Sequence, residues 1–247
     1  MDALIVRAER GAEKAERVRI EETFFLQYAL PYAGLFARAR SRCCAAQLRR
    51  MGITRAAFAE DFPYRAVFAA QGIAPPDLLP LRLAAADRIA ELALRRAGIE
   101  PRTATAALAV PRADERALEA CARLAGLTRH LLLAAGEGGE ALAKRLRFTC
   151  GAAAVWDPAL QQLAAADVYL CFDPKRSAAG ALPLYDPAFP ICYALPDGVP
   201  AVGSEELLSL LFAADADRVQ EVQITGMGDA LSLDNSAENY YNTVMLK

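Results

Sequence analysis

Histidine is almost missing from this chain: His130 is the only one in 247 residues. That excludes a zinc centre built on several histidines, and any mechanism that needs two imidazoles. Six cysteines are present, Cys43, Cys44, Cys121, Cys150, Cys171 and Cys192, but no pair has the two-residue gap of a metal knuckle or a redox motif. They read as reduced thiols packed as small hydrophobes. Walker loop, nucleophile elbow and metal-ligand cluster are also lacking, so no metal site is expected. Lysine is scarce: among 28 basic residues only Lys14, Lys144, Lys175 and Lys247 are lysines. With so much alanine beside the arginines, this reads as a coding bias rather than a phosphate-binding signal.

A formal net charge of −2 supplies no bulk positive field for nucleic acid or an anionic membrane. No window approaches the roughly 18 uninterrupted apolar residues of a membrane helix. The opening MDALIVRAERGAEKAER has charges in its first turns and no apolar stretch of signal-peptide length. The expectation is a cytoplasmic protein with neither nucleic acid nor membrane as partner. One stretch, LRRMGITRAAFAEDFPYR (Leu48–Arg65), has the outline of a helix-turn-helix, with Gly52 at the turn and Arg49, Arg50 and Arg55 facing phosphates. Glu60, Asp61 and Pro63 in the same stretch argue against it.

What is plentiful is apolar surface, 55% of residues, enough for a sizeable core. Residues 1–100 read as a mostly helical N-terminal region. Leu35–Gly52 has helical spacing closed by a glycine, and Leu79–Pro101 ends with Arg95 and Arg96 before Gly98. VRIEETFFLQ (Val18–Gln27) fits a strand or a helix start. Tyr32, Phe58, Phe62 and Tyr64 read as packing between helices.

From about residue 101 the rhythm changes. ATAALAV (104–110), HLLLAAG (130–136), AAAVW (152–156) and VYLCF (168–172) alternate with helical segments. FPICYAL (189–195), SEELLSLLFAAD (204–215) and RVQEVQIT (218–225) extend the series. Apolar strands separated by helices of such length predict crossovers and a mainly parallel sheet covered on both faces. Residues 101–247 are therefore expected to form a Rossmann-like α/β domain. Asp157-Pro158 reads as a capping carboxylate before a first-turn proline, and Ser204 as another helix start. The tail DNSAENYYNTVMLK reads as an extended arm or a last short strand.

DPALQQLAAADVYLCFDP, and the rhythm of residues 103–174 as a whole, resembles the cofactor domain of NAD(P)-binding Rossmann proteins of the shikimate dehydrogenase and glutamyl-tRNA reductase group. Two registers follow from the resemblance. In the first, HLLLAA is the opening strand and GEGGEA supplies a G-x-G-x-x-A loop through Gly136, Gly138 and Gly139, with Asp157 on the ribose. NAD(P) is then the cofactor and the protein is an oxidoreductase. In the second, ATAALAV is the opening strand, and the phosphate loop falls on Val110–Glu115, which has no glycine. Glu137 then occupies the place of an NAD-selective acid beside a degenerate loop, and no cofactor binds. The second register fits the group's spacing better.

Under either register Arg112, Glu137, Asp157 and Asp173, with Lys175 and Arg176, should line a crevice at the carboxyl ends of the strands. His130 falls at the opposite end. If the loop is degenerate, Gly138→Asp is expected to leave stability nearly unchanged. Three functions stay open: a non-catalytic or small-molecule-binding protein, an NAD(P)-dependent oxidoreductase, and an interaction module working through the helical region. Self-association stays open with them.

Overall fold

The first apolar run of the chain, Ala3–Val6, is buried throughout and forms the inner strand β1 (Asp2–Arg7), which the sequence reading did not anticipate. The structure is a computed structural model that describes residues 1–8, 13–195, 199–214 and 223–228. β1 pairs in parallel with β3 (Thr23–Leu30) on one side and with β4 (Ala56–Phe58) on the other. β2 (Lys14–Ile20) pairs antiparallel with β3 and closes one edge, giving the order β2-β3-β1-β4. VRIEETFFLQ is thus neither one strand nor a helix start but a hairpin. Its turn is Glu21-Glu22, and Glu21 sits in the left-handed region at φ 52°. The charged residues of β2 protect this open edge from pairing with another chain.

The expected helices are present. α1 (Ala37–Arg50) links β3 to β4, and α2 (Arg65–Ala69) follows. The helix expected over 79–101 is divided at Ala85 into α3 (Leu79–Ala84) and α4 (Ala86–Arg96). The N-terminal region is therefore not mostly helical but carries a four-stranded mixed sheet, against which α1 and α2 pack. Its core joins Ile5, Leu30, Leu48, Phe58, Phe62 and Phe68. Phe62 meets Tyr32 edge-on at 5.1 Å and stacks on Phe58 at 5.4 Å. These aromatics pack together as expected of a core, but Phe58 stands on a strand, so they lie against the sheet and not between helices.

Beyond a short 3-10 turn at Pro101–Thr103, strands and helices alternate as expected: β5 (Thr105–Arg112), α5 (Glu115–Leu127), β6 (His130–Glu137), α6 (Gly139–Cys150), β7 (Ala154–Trp156), α7 (Leu160–Ala164) and β8 (Val168–Cys171). β9 (Ala181–Pro183) lies in the Pro- and Gly-punctuated connection. All five strands are parallel, in the order β7-β6-β5-β8-β9. This is a Rossmann-like α/β sheet with β5 at its centre, and Ala106–Val110 are buried. At the amino edge, the Asp167 carboxylate accepts from the Thr105 backbone at 2.7 Å and ties the head of β8 to that of β5.

The next elements leave this sheet. β10 (Ile191–Tyr193) pairs with β11 (Ile224–Met227) in a two-stranded sheet, and α8 (Ser204–Ala214) starts at the expected serine. Residues 218–222 of RVQEVQIT and the tail from 229 lie outside the described residues. Two compact units result: Met1–Leu92 with Ile191–Gly226, and Ala93–Pro190 with Met227–Lys247. The helix read as another layer on the parallel sheet therefore belongs to the first unit. Carboxylates of its first turn explain the placement. Glu206 accepts from the Phe58 backbone N–H at 2.8 Å and from Arg65. Glu205 receives both Nε and Nη2 of Arg82, at 2.7 and 2.9 Å. The Arg82 side chain is only 1% exposed.

Burial holds the Glu205 carboxyl above its ordinary range, although Arg82 pulls it down. With the folded value raised, this group's contribution is full at acid pH and is lost as pH rises through that value. Removing Arg82 raises the folded value further. Arg82→Leu is expected to lose roughly 3–5 kcal/mol at neutral pH, because it leaves a buried carboxylate without its guanidinium. The loss should be smaller at acid pH, where Glu205 is protonated. Urea unfolding at both pH values measures this, and equal losses would contradict it.

Candidate functional site

Five parallel strands place all their carboxyl ends on one edge of the sheet, and the candidate residues gather there. Arg112 ends β5, Gly136 and Glu137 end β6, Asp157 follows β7 and Asp173 follows β8. The chain runs outward from β5 through β6 to β7, then returns to β8 on the other side of β5. The switch point, where ligands of open α/β sheets gather, is therefore between β5 and β8. That makes ATAALAV the opening strand of the sheet, as the second register has it, and GEGGEA the turn after the second strand.

The three glycines of that turn have backbone duties. A Cβ on Gly136 would overlap the Pro111 carbonyl oxygen of the neighbouring loop, and one on Gly139 would overlap the Trp156 ring. Gly138 caps α6 in the left-handed region at φ 80°. The expectation that Gly138→Asp is neutral is thus corrected, since an L side chain at this φ is strained whatever space it finds.

At the corner after β5, Arg112 pairs in register with Glu137, and the Ala113 N–H donates to the Glu137 carbonyl at 3.1 Å. Asp114 caps α5, and its carboxylate accepts from the Ala117 N–H at 2.9 Å. One of the free donors at the head of this helix is therefore already bonded to a negative group of the chain itself. Glu115, in the same first turn, pairs with Arg145 of α6 at 2.9 Å.

Asp157 does not cap α7, whose N-cap is Ala159. It stands at φ 47° and its carboxylate meets Arg176 at 3.2 Å. β7 and β8 are three positions apart in the sheet, about 14 Å at the usual strand spacing. The segment after β8 thus reaches back across two strands. Asp173, with 8% of its surface exposed, caps the short turn Pro174–Arg176 by accepting from the Lys175 N–H at 3.0 Å. The Tyr169 hydroxyl donates to the Arg176 carbonyl, and the Cys171 thiol to the Asp173 carbonyl at 3.1 Å. Burial pushes both Tyr169 and Cys171 upward, so both stay protonated at neutral pH. The sequence reading missed these two, since VYLCF reads only as a buried apolar run.

His130 is exposed at the amino end of β6, away from this edge. Cys44, Cys121 and Cys171 are buried while Cys43 and Cys150 are exposed, and burial pushes the Cys44 and Cys121 thiols up to about 12. The Leu48–Arg65 stretch holds the end of α1, the strand β4 and the start of α2, so it is not a helix-turn-helix. Among the described residues no group of three or more His, Cys, Asp and Glu could hold a metal ion. None of their helices is long and apolar enough to cross a membrane. No protein-family model matches the chain, and no curated protein matches it either.

If the glycines serve packing, their replacement should register as stability. Gly139→Ala is expected to destabilise by about 1–3 kcal/mol through overpacking against Trp156. Gly138→Ala should lose about 1–2 kcal/mol through left-handed strain. Chemical denaturation checks both; unchanged stability in either variant would contradict the role given to that glycine.

Proposed function

We propose that the second unit is a degenerate Rossmann-like domain that does not bind a dinucleotide, and that this is a cytoplasmic, non-catalytic protein that acts by binding. The observation that carries this reading is the Asp114 carboxylate bonded to Ala117 at the head of α5. In the shikimate dehydrogenase and glutamyl-tRNA reductase group that residues 103–174 resemble, a glycine loop after the first strand lets a pyrophosphate approach the helix N-terminus. Here that corner reads Val110-Pro111-Arg112-Ala113-Asp114-Glu115. Proline lacks an amide donor, and two carboxylates stand where a dianion would have to come.

The strand order supports the same register, because it leaves GEGGEA behind the second strand. The Asp157–Arg176 pair adds to it: the aspartate that an oxidoreductase would turn toward a ribose is engaged by an arginine. A small ligand at this edge would meet Arg112 and Lys175, two exposed cations that form no ion pair among the described residues.

NADH or NADPH at millimolar concentration is expected to leave the melting temperature unchanged. A bound cofactor at 100 times its Kd would add about 2.7 kcal/mol of stability. A concentration-dependent rise with either nucleotide would overturn the proposal and restore the oxidoreductase.

A further inference from the structure

α1 carries an unbalanced charge. From Thr23 to Ala59 the sequence has six arginines and no acidic residue. Arg55 is answered by Asp2 at 2.9 Å. The other five, Arg38, Arg40, Arg42, Arg49 and Arg50, all belong to α1, and among the described residues none of them has a carboxylate partner. In a chain whose net charge is −2, these uncompensated cations are confined to one helix.

Beside them lies a groove of about 660 Å³, half open to solvent, between α1 and α2. Arg38, Ala39 and Arg42 form one side, and Ala66, Val67 and Ala70 the other. Arg38 and Arg42 are one turn apart and so share a face of the helix. The alanines keep the floor shallow and apolar, so a second backbone can approach closely. Leu35, at the end of the groove, is 98% exposed, and the adjacent Phe36 is 67% exposed. Large apolar side chains left this open next to a groove mark an interaction site.

We propose that this groove receives an acidic amphipathic helix of a protein partner. Its apolar stripe would lie on Ala39, Ala66 and Val67 and against Leu35. Its carboxylates, spaced one turn apart, would meet Arg38 and Arg42. Charge complementarity selects the acidic character, and the apolar trough selects a helix laid lengthwise. A polynucleotide finds no aromatic side chain lining this trough on which to stack its bases, whereas an apolar helix face finds Ala39, Ala66, Val67 and Leu35. The surface belongs to the first unit and does not depend on the reading of the parallel-strand edge.

A phage-displayed library of helical peptides, panned on the full chain, tests this. Recovered sequences are expected to carry Asp or Glu pairs at i, i+4 with Leu, Ile or Phe on the adjoining face. As synthetic peptides they should bind about tenfold or more weakly to Arg38→Glu/Arg42→Glu, whose circular dichroism and melting temperature should match the parent. Val67→Glu, which puts a charge on the trough wall, should weaken them as well. Failure to enrich any sequence, enrichment without acidic pairs, or equal binding to the charge-reversed variant would overturn the proposal. So would arginine-dependent binding of anionic phospholipid vesicles or single-stranded polynucleotide with none of the peptides, or self-association abolished by the charge reversal.

Discussion

The N–H groups at the head of α5 must be satisfied, and this constraint shapes the edge of the parallel sheet. The central strand β5 is buried on both faces, so the chain can leave it only at its carboxyl end and must turn at once into a covering helix. In a dinucleotide-binding protein the donors exposed by that turn are left for phosphate. Here Asp114 takes one of them within the chain. The bond from Ala113 to the Glu137 carbonyl then fixes the loop against the end of β6. The turn out of the central strand and the capping of the helix head thus come from the same few residues. A carboxylate cap stabilises the helix without a ligand, by about 1 kcal/mol in typical helices.

The glycine-rich turn shows how a motif can keep its letters while its physics lies elsewhere. G-x-G-x-x-A matters to a phosphate because bare backbone lets the ligand approach. In GEGGEA the neighbours that come close belong to the protein: the Pro111 carbonyl beside Gly136 and the Trp156 ring beside Gly139. Glu140, in the first turn of α6, pairs with Lys144 at 2.8 Å, as a solvated helix surface does.

How much was legible in the sequence followed from how local the signal was. β5 to β8 and their helices were readable because each strand is a run of buried apolar residues and each helix carries its own period. Their register was readable from spacing. β1 was not, because four apolar residues between charges form a strand only when strands pair on both sides. The β2–β3 turn was not, because Glu21 adopts a positive φ without the glycine or asparagine that usually marks one. α8 was found but assigned to the wrong unit, since its partners Arg65 and Arg82 are more than a hundred residues away in sequence. Asp157-Pro158 has the letters of a helix cap, and only the distant Arg176 shows where the carboxylate goes. Of the edge residues, sequence placed Arg112, Glu137, Asp157 and Asp173 together, but it could not show that Asp157 and Asp173 are already engaged.

The two units divide the chemistry of the chain. The first has the unbalanced arginines and an apolar trough; the second has a sheet edge where carboxylates occupy ligand positions. Whether that edge is closed to phosphate can be read at the amide that Asp114 holds. In ¹⁵N–¹H spectra, titration with inorganic pyrophosphate to millimolar concentration should leave the Glu115, Arg116 and Ala117 signals in place, since Asp114 already holds the Ala117 amide. Saturable shifts of those three amides with pyrophosphate, at constant pH, would show the helix head open to a phosphate and contradict the central claim.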